Sequence, residues 1–283
     1  MRPRWDVRSA CGALAALLVL SGCARPNATH AETPPPNIPP PVETPATKTR
    51  APPSPPPDAG TTSAEPGELL ELSVPGFEDA FVSFPSRPHA PLLVAAHGAG
   101  NTPDELCETL RALLGDRGVI LCPAGPKMDV RAEGRYFPDH FALERIVLST
   151  LAVLENAYPN AVDTKQAVYA GYSQGATMGA LMIVAHGDLF PRLLLIEGGT
   201  HDWSFARASE FRSGGARRVL FCCGTRSCAE HAETSARVLT SAGVEARAAF
   251  SAAGHTYKGP VADSVRANFD WLVRDDPRWG AGR

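Results

Sequence analysis

The sequence predicts an α/β domain with a mainly parallel central sheet and helices on both faces, and three observations carry that expectation. Between about Gly67 and Arg283, short apolar runs of β character alternate with amphipathic helical segments, the order that buries a parallel sheet between two helical layers. Within this region Val168-Tyr169-Ala170 runs into Gly171-Tyr172-Ser173-Gln174-Gly175 and then into the small-residue, helix-forming stretch Ala176 to Ala185, which reads as strand, sharp turn, helix. A second apolar strand, Pro91 to Ala96, ends in His97-Gly98-Ala99-Gly100 just before another helix signal. A region of a little over 200 residues is one domain with an adequate core.

The chain before it is organised differently. Arg2, Arg4 and Arg8 precede an apolar run from Ala10 to Leu20 and the sequence Leu20-Ser21-Gly22-Cys23. The run is too short to span a bilayer, so residues 1–22 read as a signal peptide. Leu-Ser-Gly-Cys resembles the bacterial lipobox, which implies cleavage after Gly22, lipidation of Cys23 and membrane anchoring of the exported chain through multiple acyl chains. Residues 23–66 carry three Pro-Pro-Pro runs and almost no large apolar residues. They read as a disordered tether, which at about 3.1 Å per residue reaches up to roughly 100 Å. The domain proper is then 67–283.

Its elements follow in order. Leu69 to Val74 and Phe81 to Phe84 read as an edge hairpin, and Pro91 to Ala96 as a buried strand. Thr102-Pro103-Asp104-Glu105 opens a helix with a capping-box pattern and Pro at the first position, and Leu106, Leu110, Leu113 and Leu114 keep helical spacing. Gly118 to Cys122 is the next strand. A loop from Pro123 to Pro138 follows, with Tyr136-Phe137 expected to wall a pocket. His140 to Tyr158 is an amphipathic helix, and after the Ser173 unit come strands at Leu193 to Ile196, Arg218 to Cys222 and Val244 to Phe250. Helices at Cys228 to Ser241 and Pro260 to Val273 complete the domain, the last with Val261, Val265, Phe269 and Leu272 at core spacing.

The G-x-S-x-G turn has a mechanical rationale. It strains the serine backbone, lets strand and helix approach through the flanking glycines, and aims the next helix's free N–H groups at the point where negative charge develops in acyl transfer. Ser173 is therefore the candidate nucleophile. The element order, with GYSQG after one strand and HGAG after another, resembles the α/β-hydrolase fold over Leu69 to Leu272. It is most similar to the small, lid-poor carboxylesterase/lysophospholipase and dienelactone-hydrolase-like group. That resemblance implies an oxyanion hole formed by the backbone N–H groups of Ala99 and Gln174. His97 reads as a structural residue of the loop.

The general base is expected at His255, which follows the last strand through Ser251-Ala252-Ala253-Gly254 and comes last in the order Ser, acid, His. His201 and His231 are less well placed. The acid departs from the family pattern: the resemblance implies an Asp about three residues beyond Gly224, where this chain has Ser227. Glu197, at the carboxyl end of the strand beside the nucleophile strand, is the first candidate acid. Glu230, in the first turn of the helix after Cys228, is the alternative, and Asp202 a third.

Beyond Cys11 and Cys23, five cysteines remain, which suits an exported domain and leaves at least one unpaired. Cys223 and Cys228 are expected to close a small loop beside the site as a disulfide, with Cys107 and Cys122 a second pair. A metal cluster of Cys222, Cys223, Cys228 and His231 is disfavoured because adjacent strand residues point to opposite faces, so no metal and no cofactor is expected. A net charge of −3 gives no electrostatic footprint for nucleic acid. The resulting function is a lipid-anchored serine hydrolase acting on small-molecule carboxylic esters. Its rival is a surface binding or scaffold protein that keeps the fold with a degraded triad; a peptidase ranks third, because no propeller or large cap precedes the domain.

Overall fold

The computed structural model describes residues 65–280 apart from residue 130. The signal segment 1–22, Cys23 and all but the last two residues of the tether lie outside the described residues. Ten strands and six α-helices, with two short 3-10 turns at Ile183–His186 and Pro277–Trp279, build the described region. They are β1 (Leu69–Leu72), β2 (Ala80–Ser83), β3 (Ala90–Ala96), α1 (Pro103–Leu114), β4 (Val119–Cys122), β5 (Lys127–Met128), β6 (Arg131–Arg135) and α2 (His140–Ala157), followed by β7 (Val162–Tyr172), α3 (Gln174–Met182), β8 (Arg192–Ile196), α4 (Phe205–Ser213), β9 (Arg218–Cys223), α5 (Arg226–Ser241), β10 (Glu245–Phe250) and α6 (Pro260–Val273).

Eight strands form one sheet in the order β1-β2-β4-β3-β7-β8-β9-β10, antiparallel at the β1, β2 and β4 edge and parallel from β4 through β10. The expected α/β class with a mainly parallel sheet is therefore the observed one. Alternation along the strands divides the core in two. Leu92, Val94 and Ala96 pack on one face with residues of α2, α3, α4 and α5, whereas Leu93 and Ala95 pack on the other with α1 and α6. On α6 the stripe Val261, Val265, Phe269 and Leu272 is buried. At about 1.5–3 kcal/mol per buried side chain, that face contributes far more than helix propensity does.

The differences from the sequence expectation have physical causes. Thr102 precedes α1 but makes no side-chain cap, and Glu105, the expected capping-box partner, accepts a bond from the Tyr257 hydroxyl at 3.3 Å instead. The 123–138 stretch contains the antiparallel pair β5/β6, whose polar residues give no alternating pattern. Phe137 does not wall a pocket: it is fully buried and stacks on His97 with ring centroids 4.5 Å apart. Helix α4 was not anticipated, because it buries only Ala208 and Phe211 while Phe205 stays exposed.

Because β3, β7, β8, β9 and β10 all run the same way, the residues that follow them collect at one edge of the sheet. His97, Ser173, Glu197, Gly224 and the 251–255 loop are those residues. Two disulfides, Cys107–Cys122 and Cys223–Cys228, are present. Cys222 is free and buried, and burial pushes its thiol up to about 12. It packs in the α1/α6 layer whereas Cys223 packs in the other, as strand alternation requires. No helix among the described residues is long and apolar enough to cross a membrane.

Candidate active site

Ser173 sits between β7 and α3 with φ 51° and ψ −110°, a left-handed conformation that a non-glycine residue holds only when its surroundings enforce it. The enforcement is visible on both sides. A Cβ on Gly171 would lie 2.6 Å from Ala176 Cα, and one on Gly175 would lie 2.2 Å from the Ala96 carbonyl oxygen. Both glycines of the motif are thus required by close backbone approach. The small residues of α3 have the same explanation: Tyr169 fills the space beneath them, donates its hydroxyl to the Gly175 carbonyl at 2.8 Å, and would clash with a Cβ on Gly179.

From this elbow a continuous hydrogen-bonded relay runs across three strand ends. His255 Nε2 lies 2.8 Å from Ser173 Oγ, and His255 Nδ1 lies 3.0 Å from Glu197 Oε2. Glu197 also has positive φ, 52°, which turns its side chain out of the β8 line. Its side chain is 1 % exposed and that of His255 53 %, so the relay runs from a buried acid through an exposed imidazole to the half-buried Ser173. The buried charge is well supplied with donors. Oε1 accepts from the Gly224 and Thr225 N–H groups, the latter at 2.8 Å, and Oε2 accepts from the Thr225 hydroxyl at 3.0 Å as well as from His255. These bonds give both oxygens of the buried carboxylate hydrogen-bond partners. They also fix which imidazole nitrogen carries the proton, since Nδ1 facing a carboxylate must donate and Nε2 is left to accept from Ser173.

The other acids considered lie outside this chain of contacts. Glu230 is exposed on α5 and Asp202 is half-buried in the β8–α4 loop, and neither bonds to His255. His201 and His231 face each other with centroids 4.0 Å apart, and His231 Nδ1 is 2.7 Å from the Ser227 carbonyl. Glu197, Cys223 and Cys228 group their ligand atoms within 4.8 Å, but the two sulfurs are joined to each other and present no thiolates.

Gln174 opens α3 directly after Ser173, so its backbone N–H is among the helix's free donors. Ala99 is exposed in the turn after β3, and its N–H is taken up by no acceptor among the described residues. That turn is held from behind: Gly100 donates to the Arg135 carbonyl at 2.8 Å and Arg135 donates back to the Asn101 carbonyl at 3.1 Å. His97 is the buried peg of the loop. Gly125 N–H donates to its Nε2 at 3.1 Å and its Nδ1 lies 2.9 Å from the Gly98 carbonyl, a pattern for neutral imidazole. Burial lowers its pKa to about 4.

Three contributors were not visible in the sequence. Tyr172, the variable position of the motif, donates its hydroxyl to the His255 carbonyl at 3.0 Å and lays its ring 5.4 Å from the imidazole. The Gln174 side chain accepts from Phe137 N–H at 2.8 Å, tying the elbow to the loop before α2. Thr225 is both N-cap of α5 and donor to Glu197; only its capping role was open to inference, as a Thr just before a helix.

No family model matches the chain, and no curated protein matches it. Solved structures do. A ferulic acid esterase is similar with a TM-score of 0.55 at 14 % identity, covering 73 % of this chain and 98 % of that one. The Bacillus cereus carboxylesterase is similar with a TM-score of 0.52 at 14 % identity, covering 68 % and 93 %. The Pyrococcus horikoshii acylaminoacyl peptidase is similar with a TM-score of 0.51 at 14 % identity, covering 72 % of this chain but only 40 % of that one. At such identities the likeness bears on architecture alone, and on that level it agrees with the strand order and the elbow: the chain has the α/β-hydrolase fold.

Proposed function

We propose that this protein is a serine hydrolase of carboxylic esters that works through an acyl-enzyme. The observation that carries the proposal is the relay Ser173–His255–Glu197, with contacts of 2.8 and 3.0 Å, starting from a serine at a helix N-terminus. Ser173 Oγ attacks the ester carbonyl while its proton passes to His255 Nε2, and Glu197 stabilises the imidazolium so formed. The tetrahedral oxyanion takes hydrogen bonds from the Ala99 and Gln174 N–H groups, each worth about 2.7–4 kcal/mol in comparable sites. The alcohol leaves with the proton from His255, and water repeats the sequence to release the acid. No step requires a metal or cofactor. The substrate is a small-molecule ester; the esterases among the similar structures support that class, and the open position of His255 suits an acyl group presented from solvent.

The proposal extends to location. Two disulfides suit an oxidising, exported environment, and Leu20-Ser21-Gly22-Cys23 supports a bacterial lipoprotein anchored through Cys23 and tethered by residues 23–66. The rival binding-protein reading rests on the missing Asp after β9, and the 3.0 Å contact of Glu197 with His255 supports the enzyme reading over it. The test is treatment with a fluorophosphonate followed by peptide mass spectrometry. The adduct is expected on Ser173, with loss of esterase activity in step; full activity with Ser173 unmodified would overturn the mechanism.

A further inference from the structure

The Cys223–Cys228 disulfide adjoins the relay. Cys223 is the last residue of β9 and Cys228 lies in the first turn of α5, with 5.5 Å between their Cα atoms. Their sulfurs and a Glu197 carboxylate oxygen all lie within 4.8 Å of one another. The bond closes a loop of four residues, Gly224-Thr225-Arg226-Ser227, and the first two of these make three of the four hydrogen bonds that Glu197 accepts.

The same loop holds the base. The Gly224 carbonyl accepts from the N–H groups of Ala253 at 3.1 Å and Gly254 at 3.0 Å, the residues just before His255, and the Cys223 carbonyl accepts from Ser251 N–H at 2.8 Å. Packing here is tight: a Cβ on Gly224 would come within 2.1 Å of the Gly254 carbonyl oxygen. Gly224 therefore bonds through its N–H to the acid and through its C=O to the segment carrying the base. Without the disulfide, what joins β9 to the first turn of α5 across these residues is a pair of bonds to Thr225, its hydroxyl accepting from Cys228 N–H at 3.3 Å and its carbonyl from Ala229 N–H at 3.2 Å. A carboxylate only 1 % exposed does not tolerate drifting donors, because water cannot replace them.

We propose that the Cys223–Cys228 loop is the positioning element for both acid and base, with Thr225 as the positioning residue that touches the acid, so that turnover depends on an intact disulfide. The inference rests on the ester-hydrolase reading above. A small dithiol opens the bond in a two-electron exchange. One of its thiolates attacks one sulfur to form a mixed disulfide, and its second thiol displaces that sulfur. The reductant leaves as a cyclic disulfide, and its two hydrogens end on Cys223 and Cys228.

The experiment is p-nitrophenyl acetate hydrolysis by the full chain, oxidised and after dithiothreitol, alongside Thr225→Val, Thr225→Ser and the double variant Cys223→Ala/Cys228→Ala. A misplacement of about 1 Å costs up to about 10²-fold in turnover. Reduction and the double variant are accordingly expected to lower kcat about 10- to 100-fold while KM changes less than about threefold, and reoxidation to restore the wild-type protein. The double variant should no longer respond to reductant, which separates this bond from Cys107–Cys122. Thr225→Val should lower kcat about tenfold and Thr225→Ser should keep it, a contrast that loss of packing would not produce. If the double variant fails to fold, reduced wild type with an unchanged circular dichroism spectrum and Thr225→Val carry the test. Wild-type kcat in fully reduced protein and in Thr225→Val would overturn this inference alone. Oxidised wild type that neither hydrolyses the ester nor labels at Ser173 would overturn the esterase reading and this inference with it.

Discussion

Glu197→Gln is the substitution whose effect follows most directly from the geometry. The glutamine amide has one acceptor where the carboxylate has two. Its oxygen will take the Oε1 position, because the Gly224 and Thr225 N–H groups both point there. That leaves the NH₂ group at the Oε2 position, 3.0 Å from His255 Nδ1 and 3.0 Å from the Thr225 hydroxyl. Thr225 can rotate to accept. His255 can meet an N–H donor only by presenting an unprotonated Nδ1, which moves its proton to Nε2, the nitrogen 2.8 Å from Ser173 Oγ. A protonated Nε2 cannot take the serine proton, and the imidazolium would lack its counter-charge. In a comparable relay the same change costs about 10⁴ in kcat, or about 5.4 kcal/mol of barrier. The fold should lose only about 1–3 kcal/mol, since the side chain keeps its volume and most of its bonds. Steady-state hydrolysis of p-nitrophenyl acetate at pH 7.5 or so, with a thermal melt for each protein, is the assay. Glu230→Gln, on the exposed face of α5, should stay within about twofold of wild type. A folded Glu197→Gln protein that retains more than about a tenth of wild-type kcat would refute the assignment of the acid.

Three further outcomes follow from other parts of the molecule. His97, buried with its pKa lowered to about 4 by desolvation, binds its proton more readily in the unfolded chain; its contribution is therefore complete above pH 6.5 and is lost as pH falls toward 4, about 2–3 kcal/mol of stability between pH 7 and 4.5. Urea unfolding at the two pH values reads it, and a folded His97→Gln variant with the same pH dependence as wild type would contradict it. Gly175→Ala must displace a carbonyl 2.2 Å away, so it should lower the melting temperature by several degrees and abolish Ser173 labelling; unchanged labelling would show that the elbow has slack. Cys23→Ala should release the protein from membranes or block its processing, read by fractionation, and unchanged attachment would reject the lipobox reading.

What the sequence made legible is what local pattern encodes. The α6 stripe, the apolar β3 run and the strand-turn-helix around Ser173 each depend on spacing within one segment, and each lies within a residue or two of its expected place, apart from the longer start of β7 and the end of α3, where a 3-10 turn over Ile183–His186 takes over after Met182. Elements that owe their form to other segments were not legible. β5 and β6 are mostly polar and form a two-stranded sheet of their own, bridged at Arg135 to Asn101 in the turn after β3, α4 buries two residues, and Phe137 becomes core because His97 arrives from another strand to stack on it.

The proposed acid shows the limit most sharply, since the sequence leaves three candidates open between Ser173 and His255. Counting forward from Gly224 follows one strand and ends at Ser227, but the reach of an acid is set by register between strands, which sequence spacing does not carry. Ile196 pairs with Cys222, so Glu197 stands level with Cys223, one strand over, at a separation of about 4.8 Å. A glutamate, one methylene longer than aspartate and turned by its positive φ, crosses that gap and presents its carboxylate at the end of β9. The β9 end then supplies N–H groups from Gly224 and Thr225 instead of a charge of its own. Ser227, where the counted acid would stand, is exposed in the first turn of α5, whereas Gly224 and Thr225 at the β9 end donate to the carboxylate that reaches them from β8.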